Sequence, residues 1–288
     1  MSSSADAAHF ALPGFDLDAF VAATLAEDLG EGGDVTSAAV IPAEARFTGM
    51  MAAREPMTVA GIGIAAAFFR ALNPAVAIER PVRDGERVAA GTPLLRLSGQ
   101  ARAMLTAERC ALNTVQHLSG IATLAARYVD AIAGTCATLL DTRKTVPGLR
   151  VLEKYATRMG GAANHRMGLW DAAMIKDNHV AVAGDISEAV ARAVRAGIAR
   201  IIVEVDQIDQ IEPALAAGAT HLLLDNMDVA TLRDAVALVA GRVPTEASGG
   251  VRLDTIGGIA ATGVSYVSVG RITQSAPAVD IGLDFTAA

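Results

Sequence analysis

Aromatic side chains make up only 4% of this 288-residue chain, and cysteine occurs just twice. Cys110 and Cys136 show neither a disulfide framework nor a metal spacing, which fits a reducing cytosol. No grouping of His, Cys and Glu has the spacing of a zinc site. Long apolar runs are missing as well. The longest, VAGIGIAAAFF at 59–69, is too short to cross a bilayer. The first residues, MSSSADAAHFALPGFD, lack the basic and apolar regions of a secretory leader. A formal charge of -7 argues against general nucleic-acid binding. Together these absences point to a cytoplasmic protein with no membrane or nucleic-acid partner.

What the chain does contain is small and aliphatic. Hydrophobic residues reach 52%, much of it alanine, a composition suited to helices packed closely on a sheet. In the first third, FDLDAFVAATLAEDLG (15–30) has helical spacing and ends on glycine. ARFTGMMAAREPMTVAG (45–61) reads as two short strands broken at Glu55-Pro56, GIAAAFFRALN (63–73) as a helix, and 75–99 as strand-turn-strand. A long helix is expected from Ala101 to Ile132, with Leu105, Leu112, Val115 and Leu118 near one face. These elements make an α+β unit.

From Thr138 the pattern becomes a repeat. ATLLDTRK, AAMIKDN, RIIVEVD, HLLLDNM, TEASGG and YVSVG read as six apolar strands, most of them separated by helical segments. Such alternation implies a parallel sheet covered by helices. Each strand ends on a polar or special residue: Lys144, Lys176, Glu204, Asp225, Ser248 and Gly270. In an α/β barrel those ends form one ring, where such folds place their chemistry. In an open sheet they would be spread along a line, so a barrel with fewer than eight strands is favoured.

The polar residues support specific chemistry, each against a plainer alternative. ASGGV (247–251) and SVGRI (268–272) can bring backbone N–H groups to a phosphate, or they are ordinary strand–helix turns. Glu204 and Asp225 can hold ribose hydroxyls or Mg²⁺, or they are solvated strand ends. Arg143, Lys144, His165, Arg166 and Lys176 form an anion site, with planar forks from arginine and compact charges from lysine. Arg150, Lys154 and Arg158 stand at i, i+4, i+8 and are expected on a solvated helix face. His179 and His221 are expected to be structural. GIGIAA (61–66) matches a dinucleotide fingerprint without its βαβ context, and DGERVAAGTPLLRLSG (84–99) resembles a carrier hairpin but has no lysine to modify. Physics alone reaches a phosphorylated sugar and a compact polyanion as substrates.

The motifs EDLGEGGDVTS, TAERCALNTVQHLSGIAT, DTRKTVPGLR, NHRMGLWDAAMIKDNH, VEVD, LLLDNM, ASGGV and SVGRITQSAP, in that order and spacing, resemble the quinolinate phosphoribosyltransferase family over nearly the whole chain. That resemblance implies an N-terminal α/β sandwich domain at 1–117 and an incomplete, roughly seven-stranded α/β barrel at 118–276. A tail at 277–288 is expected to pack back on the first domain. It implies a decarboxylating transfer of phosphoribose from phosphoribosyl pyrophosphate (PRPP) to quinolinate. Arg143, His165 and Arg166 would bind quinolinate, joined by Arg109 from the neighbouring subunit of a homodimer. Lys144 and Lys176 would lie between the substrates, Lys176 touching quinolinate and Lys144 PRPP. Glu204 and Asp225 would hold the ribose hydroxyls and Mg²⁺, directly or through water. Ser248, Gly249, Gly250 and Gly270 would take the 5′-phosphate. The departures are alanines in GGAANHR (160–166) and Ile202 in place of a further acid. Molybdenum-transport-associated relatives depart from the DTRKTxPG, NHR and IKDNH patterns that stand intact here. A nicotinate-using transferase needs fewer cations, and a small-anion binding protein leaves Glu204, Asp225 and both glycine pairs idle.

Overall fold

A computed structural model of the chain describes residues 10–287. Most of the N-terminal stretch read for a leader, and Ala288 of the tail, lie outside the described residues. In chain order the first elements are α1 (Leu17–Leu29), α2 (Val35–Val40), β1 (Arg46–Ala53), β2 (Met57–Thr58), α3 (Ile62–Leu72), β3 (Ala77–Glu79), β4 (Arg87–Val88), β5 (Pro93–Gln100) and α4 (Ala101–Ala131). Then come β6 (Thr138–Leu140), α5 (Arg150–Met159), β7 (Ala173–Ile175), α6 (Asp177–Ala183), α7 (Ile186–Arg195), β8 (Ile201–Val205), α8 (Ile211–Ala216) and β9 (His221–Asp225). The last are α9 (Val229–Val239), β10 (Thr245–Ser248), α10 (Ile256–Ala260), β11 (Tyr266–Ser268), α11 (Arg271–Gln274) and β12 (Ile281–Ala287). They form two compact units. One holds the residues up to Thr123 with Val151–Gly160 and those from Ala276 onward; the other holds Leu124–Arg150 and Gly161–Ser275.

In the first unit, helices start where short acids can cap them. Asp16 accepts from Ala19 N at 2.9 Å to open α1, and Asp34 accepts from Ser37 N at 2.8 Å to open α2. An antiparallel sheet runs β12-β1-β5-β3, while β2 and β4 pair separately. The carrier-like hairpin is thereby accounted for as ordinary sheet. The dinucleotide-like GIGIAA opens α3 at Gly61, φ 92°, where a Cβ would meet Leu118 Cδ1 at 2.8 Å. Its glycine permits close packing and a left-handed turn. Along α4, Met104, Ala107, Ala111, Leu112, Val115 and Leu118 are buried at three- and four-residue spacing; Leu105 is only half-buried.

The solvated face expected of α5 holds only in part. Arg158 is exposed, but Lys154 is 1% exposed and its neighbour Glu153 0%. Glu153 Oε1 lies 2.9 Å from His117 Nε2, one of the contacts that make a buried charge tolerable. Regular i, i+4 spacing describes a face of the helix and not which way that face turns. In this helix the buried arc includes the charged residues.

The second unit is a parallel sheet in the order β6-β11-β10-β9-β8-β7. The first strand pairs with the last, and the others follow sequence neighbours, which is the order of a curled barrel. At its β6 edge Ala163 adds a single parallel bridge to Leu140, in the manner of a rudimentary seventh strand. The sheet edges are then Ala163 and β7, so the ring is incomplete.

Strand parity sorts the side chains. Ile175, Ile201, Val203, Val205, Leu222, Leu224, Ala247, Val267 and Val269 lie in the core between sheet and helices. The alternate residues, Met174, Lys176, Glu204, Leu223, Asp225, Glu246, Ser248, Ser268 and Gly270, line one cavity. Period-2 alternation thus assigns every second residue of a strand to the inner face. Ile202, the departure from the family pattern, is 0% exposed and packs with Ala172, Leu223 and Met174 on that face.

Gly120 of α4 sets a limit on the first unit. A Cβ there would lie 2.2 Å from the Pro277 carbonyl oxygen. Gly120→Ala must push backbone away, and we expect it to cost roughly 1–3 kcal/mol, seen as a lowered melting temperature. A melting temperature equal to wild type would show that the contact yields freely.

Candidate active site

The cavity on the inner face of the second unit has a volume of about 870 Å³. Its cations are Arg143, Lys144, Arg166, Lys176, Arg252 and Arg271, and its acids Glu204, Asp225 and Glu246. An acidic protein therefore carries a locally cationic pocket, and low-dielectric walls focus such a field on an anionic ligand. All the expected site residues of the second unit line it: Arg143, Lys144, His165, Arg166, Lys176, Glu204, Asp225, Ser248, Gly249, Gly250 and Gly270. Arg109 does not. It is exposed on α4 in the first unit beside Glu108, whose carboxyl is pushed up by burial and drawn down by the Arg109 charge.

The basic segments are held from below by a buried acid. Asp141, 0% exposed at the end of β6, accepts from His165 N at 2.8 Å and from Asn164 Nδ2 at 2.6 Å. This clamp ties the NHR loop to the strand that carries Arg143. Arg166 is 7% exposed and donates to the Ala172 carbonyl at 2.8 Å through one terminal nitrogen. Its guanidinium pKa is lowered, first by burial and then by the charge of Arg143. The buried Nε atoms of both arginines lack a hydrogen-bond partner among the described residues. Two like charges with idle donors are costly together and become favourable when an anion arrives.

On the other strands, Lys176 pairs with Glu204 through Nζ and Oε2. His179 Nδ1 accepts from Lys176 N at 3.1 Å, closing the first turn of α6, so this histidine is structural as expected. Lys144 is placed by its backbone: its N–H donates to Thr142 Oγ1 at 3.0 Å, and its carbonyl accepts from Thr273 Oγ1 at 2.7 Å. The Lys144 chain passes over Gly270, where a Cβ would touch Cδ at 2.8 Å. Gly249, at φ 92°, is required by Asn226, whose Oδ1 would be 2.1 Å from an added Cβ. Asn226 itself has φ 54°, donates its N–H to the Ser248 carbonyl at 2.9 Å and its amide to Asp225 Oδ2 at 2.6 Å. The helix after Gly270 is a single turn, and α10 begins six residues after Gly250, so glycine backbone forms this end of the cavity.

Sequence reasoning missed Asp141, Asn226 and Glu246. Parity along TEASGG places Glu246 two residues before Ser248 and hence on the same face, a signal that was legible. Asp141 and Asn226 adjoin known motif residues but act through loop geometry that no spacing shows.

Comparison with known proteins fixes the family. The model of the quinolinate phosphoribosyl transferase C-terminal domain matches residues 121–284, and that of the N-terminal domain residues 34–119. The chain belongs to the quinolinate phosphoribosyl transferase family. It is 46% identical over 270 residues to a nicotinate-nucleotide pyrophosphorylase [carboxylating] of Mycobacterium leprae, covering 90% of this chain and 94% of that one. It is 40% identical over 292 residues to the chloroplastic enzyme of that name from Arabidopsis thaliana, covering 94% and 83%. The crystal structure of NadC from Streptococcus pyogenes superposes with a TM-score of 0.92 at 36% identity, covering 97% of this chain and 99% of that one. The expected fold class, an N-terminal α+β domain with a parallel α/β barrel, is thereby borne out.

Within this cavity, Asp141 is the support easiest to test. Asp141→Ala leaves the His165 N–H and the Asn164 amide without this acceptor, and we expect a loss of roughly 2–4 kcal/mol, measured by urea denaturation. A loss below about 0.5 kcal/mol, the range of ordinary surface changes, would show that the loop does not depend on this carboxylate.

Proposed function

We propose that the cationic cavity of the second unit is where the chain binds quinolinate and PRPP. The chain transfers the phosphoribosyl group of PRPP to quinolinate with decarboxylation, giving nicotinate mononucleotide, pyrophosphate and CO₂ in NAD biosynthesis. One observation carries the site assignment: Arg143 and Arg166 lie close enough for one charge to depress the other's pKa, each with a buried Nε unpaired. A dicarboxylate answers both. Each guanidinium takes one carboxylate, with His165 at the base of the clamp and Lys176 beside it.

PRPP then lies across the strand ends. Ser248, Gly249, Gly250 and Gly270 take the 5′-phosphate through backbone N–H groups, while Glu204 and Asp225 receive the ribose hydroxyls. Lys144 faces the pyrophosphate and stabilises it as the leaving group while C1 acquires oxocarbenium character. The pyridine nitrogen forms the new bond to C1 as the C1–O bond breaks. The resulting pyridinium accepts the electron pair left at C2 when the C2 carboxylate departs as CO₂, and C2 then takes a proton from solvent. Arginine contacts to that carboxylate must orient it without holding it more tightly than the transition state.

Glu204 and Asp225 also fit Mg²⁺, which is commonly held by one or two carboxylates together with substrate phosphates and water. No group of three or more His, Cys, Asp or Glu residues that could hold a metal ion occurs among the described residues. Bound there, it would neutralise charge on the pyrophosphate. In the same account, residues 1–117 form the scaffold domain with the tail 277–288, and residues 118–276 carry the chemistry. A second copy of the chain completes the site with Arg109, and the enzyme acts in the cytoplasm. No helix among the described residues is long and apolar enough to cross a membrane.

Purified protein incubated with PRPP, Mg²⁺ and either carboxyl-labelled quinolinate or labelled nicotinate is expected to release CO₂ from quinolinate and to leave nicotinate unused. Lys144→Ala is expected to lower kcat by about 10²-fold or more, the scale for removing one charge-stabilising donor. Turnover of nicotinate alone would overturn the substrate assignment, and near-wild-type kcat in the variant would remove Lys144 from its role.

A further inference from the structure

The cavity holds a buried carboxylate for which the mechanism above has no task. Glu246, on β10, is 0% exposed yet lines the cavity. Its Oε2 lies 3.2 Å from His165 Nε2 and 2.9 Å from His221 Nε2, so one carboxylate oxygen stands between two imidazoles. The His221 ring stacks on Tyr266 with centroids 5.6 Å apart, which fixes its plane beside the carboxylate. The second oxygen, Oε1, has no hydrogen-bond partner among the described residues. Burial pushes the carboxyl pKa up, but the two histidines and Ser268 bring it down to about 2, so Glu246 is an anion at any working pH.

His165 is constrained from both sides. Its Nδ1 accepts the Arg166 backbone N–H at 2.7 Å, and its Nε2 faces Glu246. A hydrogen on Nδ1 would collide with the Arg166 N–H, so the ring hydrogen belongs on Nε2, donated to the carboxylate. The Glu246–His165–Arg166 chain runs from the floor of the barrel to the cavity wall without a solvent-exposed link, since His165 is 5% and Arg166 7% exposed.

We propose that Glu246 is a positioning residue of the carboxylate clamp: it fixes the tautomer and orientation of His165, whose Nδ1 in turn holds the Arg166 main chain in register with Arg143. The inference rests on the assignment of Arg143 and Arg166 to quinolinate. A purely structural Glu–His contact would hold the barrel together but would not favour one substrate over the other.

The test compares Glu246→Gln with Arg166→Ala in steady-state kinetics against each substrate. Glutamine keeps the shape but removes the charge and presents an NH₂ that competes with the His165 N–H. In Glu246→Gln the quinolinate KM is expected to rise about tenfold or more, equivalent to ~1.4 kcal/mol, with the PRPP KM within about twofold. Glu246→Asp, which restores the charge on a shorter arm, is expected to recover part of the loss. Nitrogen NMR of ¹⁵N-histidine-labelled wild type is expected to show His165 as the Nε2–H tautomer, a readout that does not depend on any variant folding. An Nδ1–H tautomer in wild type overturns the proposal. So does a quinolinate KM unchanged in Glu246→Gln but raised in Arg166→Ala, which leaves the clamp itself standing; a KM unchanged in both variants removes the clamp as well. Equal rises for both substrates with a lowered melting temperature would make Glu246 structural only, and would also overturn it.

Discussion

Two arginines of one cavity, near enough that the charge of Arg143 adds to burial in lowering the Arg166 pKa, and each with a buried Nε that has no hydrogen-bond partner among the described residues, are the constraint around which the site is arranged. Folding must bring them together against their repulsion and against the loss of solvent. The surroundings supply the means: a buried Asp141 that ties their two segments together, and the charge of Asp171, which acts on Arg166 against that of Arg143. On the proposed reading a dicarboxylate answers both charges, so what is unfavourable without ligand becomes favourable with it.

The barrel converts sequence order into this arrangement through parity alone. Alternate residues of β7 to β11 face the helices and form the apolar core, and the residues between them face inward. Because all six strands run the same way, their last inward residues meet at one rim. Lys176, Glu204, Asp225, Ser248 and Gly270 are separated by about a hundred residues of chain and yet line a single cavity. The glycines there serve space: Gly249, also at a positive φ, makes room for Asn226, and Gly270 makes room for the Lys144 side chain.

Much of this was legible beforehand. Six apolar strands, each closing on a polar residue, were enough to expect a ring, and the motif order was enough to expect the family. The parts that were not legible share a cause. Lys154 sits at regular helical spacing, but which arc of α5 is buried depends on what packs there, and the arc includes this lysine. Asp141 and Asn226 work through hydrogen bonds across loops, which depend on backbone geometry. β12 closes the first sheet by pairing with β1 from the far end of the chain, a contact of long sequence separation that local pattern does not reveal.

If repulsion between Arg143 and Arg166 is what a dicarboxylate answers, removing one charge must help the empty protein and harm its binding. The direct measurement is the melting temperature of Arg143→Gln beside wild type, each with and without saturating quinolinate. The account predicts that the variant melts higher when empty, by roughly 2 °C or more for about 1 kcal/mol relieved, and gains nothing from quinolinate, while wild type is stabilised by it. A variant that melts lower than wild type when empty would contradict the account, because the two arginines would then be supporting the fold and not straining it.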